Sequence, residues 1–316
     1  MKNVILDTDI GDDIDDALAL SYMCNSKEFN LVGVTTVYMN TVERAKLACA
    51  VLEVLNRQDV PVVAGYGKAM TQSVKTYNQK LKIHKPRQME VLKEVYTYMK
   101  PLDIDVVEFL NKKINQYKGN ISLVTIGGLT NIAMLLKKYP GAAKKIKMIY
   151  MMGGVAFITG KEWNIICDPE AARIVFNSGI PIKMVGLDVT LKCRLKESDI
   201  RKIENNGKPV SDLLGKLIRL WQKQNGKNPY TKKYPTPTLH DPLAAMVGDH
   251  PEVIRFEPFK VDVETKGELT RAQTVIVGAN FDIPWKCHPS IKPTADVAVD
   301  VNAKKAVNIF MKNILR

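Results

Sequence analysis

Short apolar runs rich in valine and isoleucine recur along this chain, separated by longer amphipathic stretches. "NVILDTD", "LVGVTTV", "VPVVAG", "ISLVTIGG", "IKMIYMMGG" and "IKMVGLDVT" read as strands buried on both faces. "DDALALSYMC", "VERAKLACAVLEVLN", "TNIAMLLKKY" and "DPEAARIVFNSG" lie between them and read as helices. Such alternation builds βαβ units, because parallel neighbours need a crossover that packs back onto the sheet. The predicted fold class is α/β: a mostly parallel, doubly wound open sheet with helices on both faces. After Thr190 the pattern turns helical ("ESDIRKIENN", "VSDLLGKLIRLWQKQN"), then returns to strands at "FKVDVE", "AQTVIV" and "ADVAVDV" before a last helix, "AKKAVNIFMKNIL". No internal repeat, low-complexity tract or linker interrupts this, so a single domain over residues 1–316 is predicted. Residues 66–100 are lysine-rich with weak periodicity and read as a long loop or flap, of a length that tends to be functional.

Composition excludes several classes. The formal charge is +13, yet the lysines are widely spread and not interleaved with aromatics, which points to a solvated basic surface and no nucleic-acid partner. No apolar run approaches the roughly 18 to 20 residues of a membrane span. The N-terminus passes from "MKN" directly into a strand, without the apolar core of a secretory signal. Five cysteines, odd in number and without a CxxC pair, argue against a disulfide framework or a structural zinc site. A reducing cytoplasm is the expected compartment.

In an open parallel sheet, ligands bind beyond the carboxyl ends of the strands. Those ends carry polar groups or glycine pairs here: Asp7 and Asp9 after the first, Asn40 after the second, "TIGGLTN" and "YMMGG" further on. The acids are the most unusual feature, since Asp7, Asp9, Asp12, Asp13, Asp15 and Asp16 fall within ten positions of a basic protein. One or two would serve as helix caps. Six repel one another and call for a bound cation. With oxygen donors and no His/Cys cluster, the ion is a hard one, Ca²⁺ or Mg²⁺.

The opening "DTDIGDDIDDALAL", followed in order by "TIGGLTNIA", "MGGV", "EWNIICDPEAARIVF", "MVGLDVT" and "LHDPLAA", resembles the inosine–uridine-preferring nucleoside hydrolase family. The resemblance implies a nucleoside N-ribohydrolase with a resident Ca²⁺, acting on a small ribonucleoside, and a homodimer or homotetramer. The implied ion ligands are Asp9, Asp16, the carbonyl of Ile126 and Asp241. Asp9 would also deprotonate a calcium-bound water, and the sugar would pass through an oxocarbenium-like state. Asp15, Asn40, Met152, Glu162 and Asn164 are the implied ribose contacts. His240 is either the acid that serves the leaving base or the group that orients Asp241. Tyr230 and Tyr234 are candidates to stack on the base or donate to it.

Three departures stand out. The acidic run is two residues longer than the commoner form, so Asp12 and Asp13 compete with Asp15 and Asp16 for the same roles. The segment between "MGGV" and "EWN" lacks the asparagine expected near the ribose 5′-hydroxyl, and "KIHKPRQ", with His84, replaces a His-Gly motif near the base. Two rival readings remain: a Mg²⁺-dependent phosphatase built on the DxD of "ILDTDIG", and a calcium-dependent nucleoside-binding protein without turnover.

Overall fold

A computed structural model describes residues 1–93, 98–227, 232, 235–278 and 292–316. Tyr230, Tyr234 and His288 lie outside them. Nine strands form one sheet: β1 (Lys2–Thr8), β2 (Phe29–Thr36), β3 (Val62–Ala64), β4 (Ile121–Thr125), β5 (Met148–Met152), β6 (Ile182–Val185), β7 (Ile254–Val263), β8 (Thr274–Gly278) and β9 (Ala295–Val301). Their order across the sheet is β3-β2-β1-β4-β5-β6-β9-β7-β8. All pairings from β3 through to β9 are parallel, whereas β7 runs antiparallel to both β9 and β8. Among the described residues no helix is long and apolar enough to cross a membrane.

The sheet is covered on both faces, and side chains take alternate sides as the strand period of two demands. Val4 and Leu6 of β1 join one core, and Ile5 joins the other. Tyr150 and Met152 of β5 face the first core, and Ile149 and Met151 the second. Helices Asp15–Asn25, Thr41–Val54, Pro209–Asn225, His240–Met246 and Ala303–Ile314 pack on the first face. Helices Val106–Tyr117, Thr130–Lys138 and Pro169–Phe176 cover the second.

The chain builds β1, β2 and β3 outward in one direction, then crosses to place β4 on the other side of β1. The connections leaving β1 and β4 therefore diverge, opening a crevice at their carboxyl ends. Asp7 carbonyl accepts from Ile126 N–H (2.8 Å), which fixes the rim of that crevice.

Two readings of the sequence need correction. The flap at 66–100 contains a helix, Val74–Ile83, capped by Ser73, whose hydroxyl accepts from Thr76 N–H at 3.0 Å, and a 3₁₀ segment, Arg87–Lys93. Its apolar stripe is thin, which hid the helical period. The strand read from "IKMVGLDVT" stops at Val185, and Leu187–Thr190 is a short helix. Gly186 makes the break: a Cβ there would sit 2.9 Å from the carbonyl oxygen of Gly154.

The helix Asp15–Asn25 is held down by the C-terminal helix. Tyr22 and Phe310 stack with centroids 6.3 Å apart, and Phe310 is fully buried. Phe310→Ala is therefore expected to cost about 3–5 kcal/mol. In urea titration the midpoint should fall while the slope stays constant.

Candidate active site

A cavity of about 720 Å³ occupies the crevice. The strand ends contribute Asp9, Ile126 and Met152 to its wall, and the helix starts contribute Asp15, Asp16, Glu162, Asn164, His240 and Asp241. Residues 9 to 241 thus meet at one place.

The acidic run is held from behind. Asp7 points into the sheet, where its Oδ1 accepts from Thr35 Oγ1 (2.5 Å) and Asn131 Nδ2 (2.7 Å). Burial pushes its carboxyl up to about 7, and its second oxygen is buried without a partner. Thr8 Oγ1 donates to Asp16 Oδ1 (2.5 Å) and accepts from Ile10 N–H (3.1 Å), so strand and loop together aim Asp16. Gly127 leaves room for Asp9: a Cβ there would stand 2.8 Å from Asp9 N and 3.0 Å from its Oδ1.

Asp15 and Asp16 lie in the first turn of one helix and Asp241 in the first turn of another, and the two helices pack together. Carboxylate oxygens of Asp15, Asp16 and Asp241 come within 4.8 Å of one another. Burial pushes all three well above the usual carboxylate range, and their mutual repulsion adds to it. Asp9 lines the same cavity outside this trio; burial raises it to about 6, with Arg44 pulling the other way. Three buried carboxylates with no cation of their own are a poor arrangement for a protein alone and a good one for a hard divalent ion. The donor set fits a metal.

Arg44 is the resident cation of the acidic loop. It is fully buried, yet every direction of its guanidinium is used. It donates to the carbonyls of Asp9, Ile10 (3.0 Å) and Tyr38 (2.8 Å), and to Asp12 Oδ2 (2.6 Å). His84 Nε2 also meets Asp12 Oδ2 at 3.0 Å. Burial works against the Asp12 charge, but the His84 and Arg44 bonds outweigh it and hold the carboxyl down to about 2. Asp12 is therefore separate from the trio.

The remaining predicted residues are placed as follows. Glu162 caps the helix Trp163–Cys167: Oε1 accepts from Asn164 N–H (2.8 Å), and Oε2 from Gly154 N–H (3.0 Å) and Ile165 N–H (3.1 Å). Burial still raises it to about 7. Asn164 Nδ2 donates to the carbonyls of Ile126 (2.9 Å) and Met152 (3.1 Å), linking β4 to β5. His240 Nδ1 meets Thr190 Oγ1 at 2.7 Å, and burial, then Arg194, pushes the imidazole down to about 4. It is neutral at neutral pH. Asn40 does not line the cavity; its Oδ1 accepts from Glu43 N–H (3.3 Å) and caps the helix Thr41–Val54.

The sequence reading overlooked the aromatic wall. Tyr38 stands edge-on to His84 (6.1 Å) and to Trp163 (5.8 Å), with the Arg44 guanidinium 5.6 Å from its ring. Tyr38 and Met39 have φ of 72° and 55°, in the left-handed region that side chains disfavour. Backbone strain of this kind collects at functional sites. Trp221, from the helix Pro209–Asn225, also lines the cavity.

The profile of the inosine-uridine preferring nucleoside hydrolase family matches residues 4–308. The chain is 34% identical to the pyrimidine-specific ribonucleoside hydrolase RihA of Shewanella sp. (strain MR-4) over 281 residues, covering 87% of this chain and 86% of that one. Among solved structures, a plant nucleoside hydrolase superposes with a TM-score of 0.86 at 26% identity, covering 99% of this chain and 98% of that chain. The purine-preferring ribonucleoside hydrolase from Gardnerella vaginalis gives 0.83 at 29% identity with the same coverage. With a profile spanning nearly the whole chain and a cavity built where that fold binds its ligand, the chain belongs to the inosine-uridine preferring nucleoside hydrolase family and is a ribonucleoside hydrolase, an N-glycosidase.

Proposed function

We propose that this chain cleaves the N-glycosidic bond of ribonucleosides to ribose and free base, with Asp9 taking a proton from the attacking water and Ca²⁺ as the resident ion. The observation that carries the reading is the meeting of Asp15, Asp16 and Asp241, from remote parts of the chain, on the floor of a cavity at the β1/β4 divergence. Asp16 and Asp241 belong both to this trio and to the ligand set that the family resemblance implies, so they are the core of the ion site. When bound, the ion supplies a Lewis acid for water and a template for the sugar's vicinal hydroxyls.

The protein's own residues supply the rest. Calcium acidifies water weakly, so a positioned base is needed, and the Asp9 carboxylate lining the cavity supplies one. Carboxylates gathered beneath the pentose stabilise the positive charge that develops on an oxocarbenium-like ring. Glu162 and Asn164, fixed by their bonds to backbone, present polar atoms to the ribose, and Met152 packs against it. His240 is neutral and keeps Nδ1 on Thr190, which leaves its other nitrogen for the departing base or for orienting Asp241.

Asp9→Asn should lower base release from nucleosides by ~10³-fold while a ribose analogue still binds. Wild-type rates in that variant would remove Asp9 from the base role. A second expectation concerns pH. Asp7, Asp9 and Glu162 titrate at about 7, 6 and 7 in the fold, above ordinary carboxylates. In the metal-free protein they hold protons that the unfolded chain has lost, so their contribution is intact below about pH 4 and disappears as pH rises through about 7. The melting temperature of chelated protein should therefore fall from about pH 5 to about pH 8, and calcium should raise it more at the upper value. A calcium increment independent of pH would contradict this.

A further inference from the structure

The cation site leaves two acids of the opening run unused, and they part company. Asp12 is committed to Arg44 and His84. Asp13 is not. Its side chain is exposed and lines the cavity. Oδ1 accepts the N–H of Ile14 at 2.7 Å, and among the described residues no cation closes an ion pair on it. The Trp221 side chain also hydrogen-bonds the Asp13 carboxylate, and Arg87, which lines the same cavity, acts on its charge.

The relation between Asp13 and Arg87 is built in. Gln88, next to Arg87 and almost wholly buried, donates its side-chain N–H to the carbonyl of Asp13, and its backbone N–H donates to Gly11 carbonyl at 2.9 Å. The 3₁₀ segment Arg87–Lys93 is thereby latched to the acidic loop, so that the Asp13 carboxylate and the Arg87 guanidinium line one cavity. A carboxylate offers only acceptors and a guanidinium only donors. The complementary edge carries two adjacent donors and then an acceptor. Uracil has one N–H between two carbonyls, cytosine and adenine pair a donor with a ring-nitrogen acceptor, and hypoxanthine lacks the second donor. Guanine alone has N2–H, N1–H and O6 in that order.

We propose that Asp13 and Arg87 select guanine, a 2-amino-6-oxopurine, as the base of the nucleoside, with Asp13 accepting N1–H and N2–H and Arg87 donating to O6. This rests on the ribonucleoside hydrolase reading above and names its substrate class. Relatives include a pyrimidine-specific and a purine-preferring hydrolase, so membership of the family does not fix the base.

Guanosine and inosine differ only in the 2-amino group, which makes their ratio the readout. In calcium-loaded enzyme, kcat/KM for guanosine should exceed that for inosine by ~10- to 100-fold, the worth of a hydrogen bond to a charged acceptor. Asp13→Asn should bring the ratio toward one, whereas Arg87→Ala should lower both substrates together, because O6 is common to them. A wild-type ratio near one, or a ratio that moves with Arg87→Ala and not with Asp13→Asn, overturns the proposal. Equilibrium binding of both nucleosides to Asp9→Asn reads the same selectivity without turnover. A guanosine preference there without base release from wild type would sink the hydrolase reading and keep the selection; equal binding would sink the selection.

Discussion

Repulsion among carboxylates gathered in a low-dielectric crevice is the constraint around which this protein is organised. Asp9, Asp15, Asp16 and Asp241 are all pushed above their ordinary range, burial being the largest cause. The fold tolerates this through two kinds of positive charge. Arg44 is covalently part of the chain and neutralises the loop that turns from β1 into the first helix. The partial charges at two helix starts help on the other side. Neither reaches the trio as a full counter-charge, and the three carboxylates are placed so that they could hold a metal ion.

The same arrangement explains why the site is rigid where it must be. Asp7 ties β1 to β2 through Thr35 and to the helix Thr130–Lys138 through Asn131, whose own Oδ1 accepts from Tyr66 N–H (2.8 Å). The left-handed turn at Tyr38 and Met39 is fastened by Tyr66 and Gly67 carbonyls at 3.0 and 2.8 Å, and by Arg44 on the Tyr38 carbonyl. One buried guanidinium thus sets both the acidic loop and the aromatic wall. Glu162 and Asn164 are anchored in the cavity by bonds to backbone, while Asp13, Arg87 and His84 enter it from the loop and the flap.

Much of the sheet was legible because buried parallel strands need unbroken apolar runs, and the antiparallel β7 and β8 show in the shorter runs "FKVDVE" and "AQTVIV". The nucleoside hydrolase family was legible from its spaced motifs, which also disposes of the phosphatase reading of the DxD. Other features depended on tertiary context. The choice of Asp15 and Asp16 over Asp12 is made by Arg44, 32 residues from Asp12 in the chain and tied to it by neither motif nor period. Arg44 itself falls in the buried stripe of its helix with Leu47, Ala48 and Val51, a lone cation among apolar neighbours, and that register was a usable signal. Asn40, expected among the ribose contacts, caps the helix Thr41–Val54, a role that a polar strand end does not distinguish by composition. Tyr38 was invisible, since a left-handed tyrosine has no sequence signature.

The central claim is that Asp16 and Asp241 hold one divalent ion between the two helix starts. Elemental analysis of extensively dialysed protein measures it most directly. Wild type should retain one calcium per chain, and Asp16→Asn and Asp241→Asn, each still folded by circular dichroism, should retain none. Full calcium content in both variants would contradict the account.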